Sequence, residues 1–127
     1  MKITSFDPVI VSNHADSIIS LFQALGFENT HAPTTDIEDL RVTSHRMKHP
    51  DGYHVDVVSS SAELPKDRTV IRMNVDDFEE AYNSLTAHGY KNVRGNQTID
   101  TKSSKSATME SPSGFRIAIV NHIKDHE

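Results

Sequence analysis

The sequence predicts an α+β domain made of two copies of a βαβββ module. Two observations at matched spacing carry that prediction. The first is a Pro-x-Gly turn feeding an alternating strand, His49-Pro50-Asp51-Gly52-Tyr53-His54-Val55-Asp56-Val57-Val58. It returns as Ser111-Pro112-Ser113-Gly114-Phe115-Arg116-Ile117-Ala118-Ile119-Val120, with proline and glycine 62 positions further on. The second is a capped amphipathic helix closed by glycine. Asn13 and Asp76, Asp16 and Glu79, Ile18 and Ala81, Phe22 and Leu85, and Gly26 and Gly89 all lie 63 positions apart. A register held across caps, apolar stripe, stop signal and turn marks an internal duplication. The modules are expected at residues 3–60 and 68–122, joined by a connector at 61–67, in a single domain of 127 residues. One module alone has too small a core, whereas two can share one.

Each element has a local reason. Ile3 to Val11 reads as a strand, with Phe6, Val9, Ile10 and Val11 as its apolar content. Asn13 is the expected N-cap of the first helix, with Asp16 in the capping-box position. Ala15, Ile18, Ile19, Phe22 and Leu25 share one helical face, and Gly26 closes the helix. Phe27 to His31 is a short strand, and Thr34 to Asp39 a polar loop. Leu40 to Lys48 and Tyr53 to Ser59 are strands on either side of the Pro50-Gly52 turn. Proline presets φ and glycine tolerates positive φ, which suits a tight turn. The serine-rich run after Ser59 is the connector. Thr69 to Val75 opens the second module as a strand. Asp76 is the expected cap of the second helix, whose stripe is Phe78, Ala81, Tyr82 and Leu85, ending at Gly89. Tyr90 to Val93, Ser103 to Glu110 and Gly114 to Val120 complete the strands. Asn121 to Glu127 reads as a polar tail.

Composition narrows the function. The net charge is -5, with no clustered basic face, which argues against nucleic acid as a partner. The chain has no cysteine, so disulfides and thiolate chemistry are excluded. The first residues lack a signal-peptide pattern, and no apolar run approaches the ~20 residues of a membrane span, so a cytoplasmic protein is expected.

Three segments then bring a known family into view. They are Val9 to Phe27, ending Leu25-Gly26-Phe27; Val75-Asp76-Asp77-Phe78 through Ala81-Tyr82, Leu85 and Gly89; and Ser111-Pro112-Ser113-Gly114-Phe115-Arg116-Ile117. In order and spacing the chain resembles the vicinal oxygen chelate superfamily of glyoxalase I, bleomycin-resistance proteins and extradiol dioxygenases. The resemblance covers nearly the whole chain. It implies two modules whose mixed sheet curls around a cleft, helices outside, in a homodimer.

The resemblance also implies where metal-binding members place four ligands: at the start of each module's first strand, and four residues after each turn glycine. Here the two second-module positions fall on Val70 and Ala118, where histidine and glutamate would be usual. Neither side chain offers a lone pair. The first-module positions fall on Asp56 and on either Phe6 or Asp7, depending on the alignment. A rearranged set of Asp7, His54 and Asp56 is the remaining metal candidate. Because catalytic zinc normally has three protein ligands rich in imidazole or thiolate, no metal cofactor is expected.

Strand alternation then selects a ligand-binding set. His54 and Asp56 share a face opposite Val55 and Val57. Arg72 and Asn74 alternate with Ile71, Met73 and Val75, and Arg116 occupies the matching face of the last strand. Two arginines would suit an anionic ligand, or would close the cleft by pairing with Asp56. Phe6 is a candidate for stacking on a ligand. His45 would join the set only if its strand has the right parity, which alternation leaves open. The leading function is binding or sequestration of a small molecule, as in bleomycin resistance. The competing one is a metal-dependent glyoxalase-type lyase, isomerase or dioxygenase.

Overall fold

The structure, a computed structural model, describes residues 1–37 and 40–122, and of residues 35–37 and 40 the backbone alone. The described residues divide into two compact units, one of residues 7–37 and 40–69 and one of residues 1–6 with 70–122. Each is α+β, with one helix and mixed strand pairing.

The first unit holds most of β1 (Ile3–Ser12), α1 (Ala15–Ala24), β2 (Glu28–His31), β3 (Thr34–Ile37), β4 (Leu40–Lys48) and β5 (His54–Ser60). Its strands run in the order β2-β4-β5-β1, with β3 also paired to β4. β5 lies parallel to β1 and antiparallel to β4. One sheet face meets the helix: Ala15, Met47, Val55 and Val57 form its core, joined by Ile10, Ile18, Ile19, Phe22 and Phe27. The predicted alternation of β5 is therefore what the structure has.

The second unit contains most of β6 (Arg68–Val75), then α2 (Phe78–Ala87), β7 (Lys91–Asn92), β8 (Ile99–Asp100), β9 (Ser104–Glu110) and β10 (Arg116–His122). The order is β6-β10-β9-β7, with β8 also on β9, and β10 runs parallel to β6. Met73, Val75, Phe78, Ala81, Ala107, Met109 and Ile119 are its core, with Tyr82 and Leu85 packed against them.

The two Pro-x-Gly turns repeat the same backbone hydrogen bonds. His49 donates its N–H to Tyr53 O at 2.9 Å and Gly52 to His49 O at 2.9 Å; Ser111 donates to Phe115 O at 2.8 Å and Gly114 to Ser111 O at 3.0 Å. Both turn glycines have positive φ, 100° at Gly52 and 106° at Gly114, where a Cβ is strained. Both helices are 10 residues long, and each is followed, just after its C-cap residue, by a glycine of positive φ, Gly26 or Gly89.

Four local expectations shift. The N-cap position of α1 is His14, whose N–H is accepted by Ser12 Oγ at 2.8 Å. Asn13 instead ties down the connector: its Nδ2 donates to Ser60 O at 3.1 Å and to Ala62 O at 2.6 Å. The cap of α2 is Asp77, whose carboxylate accepts Glu80 N–H at 3.0 Å. Asp76 is drawn away because its carboxylate accepts Lys2 N–H at 2.7 Å. Thr34 to Ile37, expected as loop, is strand β3, because backbone pairing with β4 needs no apolar side chains. Finally, β10 takes in Asn121 and His122 from the expected tail. The rest of that tail, residues 123–127, and Glu38 and Asp39 of the expected loop lie outside the described residues. Among the described residues no helix is long and apolar enough to cross a membrane.

Candidate functional site

In the first unit the polar face is set by strand register. Asp56 of β5 is the Cα partner of Val9 on one side and of Arg46 on the other. These three therefore point the same way, opposite the face that Met47, Val55 and Val57 present to α1. Asp56 is 1% exposed, and Arg46 Nη2 lies 3.3 Å from its Oδ2. Arg46 was not among the residues alternation selected. The only sequence signal for it is a cation placed opposite a strand carboxylate, and that requires the register.

His54, half-buried, lies on the face of Asp56 and pairs across with Lys48. Asp7 has the parity of Val9, and hence of Asp56, whereas Phe6 has the parity of Ile10 and is 62% exposed. β1 and β6 end 63 positions apart, on Ser12 and Val75, which sets Asp7 rather than Phe6 opposite Val70 in the duplication. Register also resolves His45. It pairs with Val57, on the helix-facing parity, and its Nδ1 is 3.5 Å from Asn29 Nδ2.

In the second unit the face away from α2 is built from three cross-strand rows. Arg72 pairs with Ala118, and Ala118 with Thr108; Asn74 pairs with Val120, and Val120 with Ser106. Arg116 pairs with Glu110, and Glu110 with Lys91. Arg116 does not stand open: its Nε and Nη2 are both 2.9 Å from Glu110 Oε1. This cross-strand pair leaves less of its charge for a ligand than alternation alone suggested. Beside Glu110 and Lys91 the surface hollows into a cavity of about 430 Å³ that also takes in Gly89, Asn92 and Pro112. Asn74 is half-buried, and its Oδ1 is shut off from solvent with no hydrogen-bond donor among the described residues. Val70, on the same strand parity, is 7% exposed.

Among the described residues no three His, Asp or Glu side chains converge as a metal-binding group would. The polar groups of these faces are guanidinium, carboxylate, imidazole and carboxamide. They can donate to and accept from an organic molecule.

A repeated βαβββ unit with its helix on one sheet face and polar residues on the other defines a class of α+β ligand-binding and metal-binding proteins. The chain belongs to the Glyoxalase/Bleomycin resistance protein/Dioxygenase superfamily, whose model matches residues 8–119. No curated protein sequence matches it. Solved structures share its fold at low identity. Methylmalonyl-CoA epimerase from Mycobacterium tuberculosis has a TM-score of 0.73 and 15% identity over 96% of this chain and 90% of that one. A variant of the Streptomyces coelicolor methylmalonyl-CoA epimerase, in complex with 2-nitronate-propionyl-CoA, has a TM-score of 0.69 and 13% identity over 97% and 100%. A mutant of 4-hydroxymandelate synthase from the same organism has a TM-score of 0.64 and 8% identity over 99% of this chain and 50% of that one. At such identities the likeness is one of fold, and function must come from the site.

Proposed function

We propose that this chain binds a small organic molecule through its polar strand faces, without a metal ion, in the manner of the bleomycin-resistance branch of its superfamily. His54 and Asp56 in the first unit, and Arg72, Asn74 and Arg116 in the second, supply the polar contacts; Phe6 is left out because it has the parity of Ile10, on the face opposite Asp56. The observation that carries this reading is Asn74. Its buried carboxamide oxygen lacks a donor among the described residues, and such a group costs about 1–3 kcal/mol if nothing satisfies it. A strand whose other face is filled by Met73 and Val75 gains nothing in folding from that carboxamide. A ligand donor that reaches it when the side chain turns about its Cβ–Cγ bond recovers the cost.

The test is calorimetry and thermal shift against bleomycin, a propionyl-CoA thioester and a fragment library. At least one compound should raise the unfolding midpoint, and Asn74→Leu should weaken that compound about tenfold. If no compound binds, the reading fails.

The competing reading is a metal-dependent lyase, isomerase or dioxygenase. It requires a divalent ion as Lewis acid, and two of the four family positions, Val70 and Ala118, carry hydrocarbon. Turnover that depends on added nickel, zinc, iron or manganese and is abolished by Asp56→Ala would establish it. We also take the protein to be a homodimer in the cytoplasm, which solution mass and fractionation test.

A further inference from the structure

We infer that the guanidinium of Arg46 takes the place of a metal cation at Asp56. This rests on the metal-free reading above and deepens it. Asp56 stands four residues after the turn glycine, the position from which metal-binding members of the superfamily offer a ligand. A carboxylate that is 1% exposed has lost its water and needs positive charge and hydrogen bonds in its place. The chain supplies that charge from its own β4. Arg46 is the cross-strand partner of Asp56, and its Nη2 reaches Oδ2 at 3.3 Å. Its neighbours His45 and Met47 have the opposite parity and cannot do this; Met47 is buried against α1.

Chemistry makes the substitution exclusive. Guanidinium is protonated throughout the working pH range and has no lone pair, so Arg46 cannot itself become a ligand. Held on the carboxylate, it repels a divalent ion from Oδ2. Its side chain is 34% exposed against 2% for Asp56, so it approaches from the wet side and covers the acid. Val70 and Ala118 offer an incoming ion nothing at two further family positions. The donor set here therefore does not fit a resident metal: a fixed guanidinium stands against the carboxylate where an ion stands in metal-binding relatives.

The experiment joins metal titration with a double-mutant cycle. Nickel, zinc and manganese are titrated separately into the wild type and into Asp56→Asn, with bound metal counted by elemental analysis. The two proteins should take up the same amount of each. Arg46→Met should lower the thermal midpoint by about 5 °C or more, since it removes a cation from a buried acid. Arg46→Lys should lose less, because it keeps the charge. Asp56→Asn together with Arg46→Met should recover part of the loss. Stoichiometric metal in the wild type that disappears in Asp56→Asn overturns the inference, as does a cycle in which the two losses simply add. Small-molecule binding that survives an additive cycle leaves the proposed function standing, whereas stoichiometric metal held by Asp56 removes its metal-free part as well. Metal-dependent turnover removes both.

Discussion

Asn13 Oδ1 accepts the backbone N–H of Leu64 at 2.8 Å, while the same carboxamide donates to the carbonyls of Ser60 and Ala62. One side chain just ahead of α1 thus holds the start of the connector. Asp67, at the connector's far end, accepts Ser12 Oγ at 2.7 Å. At about 0.5–1.5 kcal/mol per net hydrogen bond, Asn13→Ala should cost roughly 2 kcal/mol. The specific readout is hydrogen exchange. The Leu64 amide should exchange faster in the variant, while amides in the middle of β5 keep their protection.

The α2 cap makes a second prediction. Asp77→Ala should cost about 1 kcal/mol, and Asp77→Ser should retain most of the stability, because a hydroxyl can also accept Glu80 N–H. Urea unfolding of the two variants decides it. Equal losses would mean that the carboxylate matters through its charge near the helix N-terminus rather than through the cap.

Turn geometry makes a third. A Cβ at Gly114 would meet nothing within 4 Å, so any loss in Gly114→Ala is a backbone effect of φ +106°. It should cost about 1–2 kcal/mol, and Gly52→Ala should cost the same, since φ there is +100° with equally open space. Matching thermal shifts would confirm that the two turns are energetically as well as geometrically equivalent.

The Arg116–Glu110 pair makes a fourth. It is only partly buried, so its coupling in a double-mutant cycle should be about 1 kcal/mol or less, falling at high salt. Arg116→Lys should not restore it fully, because an ammonium cannot bring two nitrogens to one oxygen as the guanidinium brings Nε and Nη2 to Glu110 Oε1. If Glu110→Gln also tightens an anionic ligand, Arg116 has been released for binding.

Much of this protein is written locally. Pro-x-Gly turns, glycine helix stops and the apolar periods of Val55 and Val57 or Phe78, Ala81 and Tyr82 need only neighbouring residues. They made the duplication, the α+β class and the inward faces of the strands legible. The helix caps were legible to within one residue. That residue was decided by Ser12 Oγ reaching back to His14 and by Lys2 claiming Asp76, the latter a contact across 74 positions.

What tertiary structure alone decided is which charges meet. Alternation places His54, Asp56, Arg72, Asn74 and Arg116 on polar faces, but it carries no information about the partner strand. Cross-strand register, set by packing of Met47, Val57 and Ile119 into cores, puts His45 on the parity of Met47 and lays Arg46 on Asp56 and Arg116 on Glu110. A one-residue slip would exchange both faces, and so the charges follow the core.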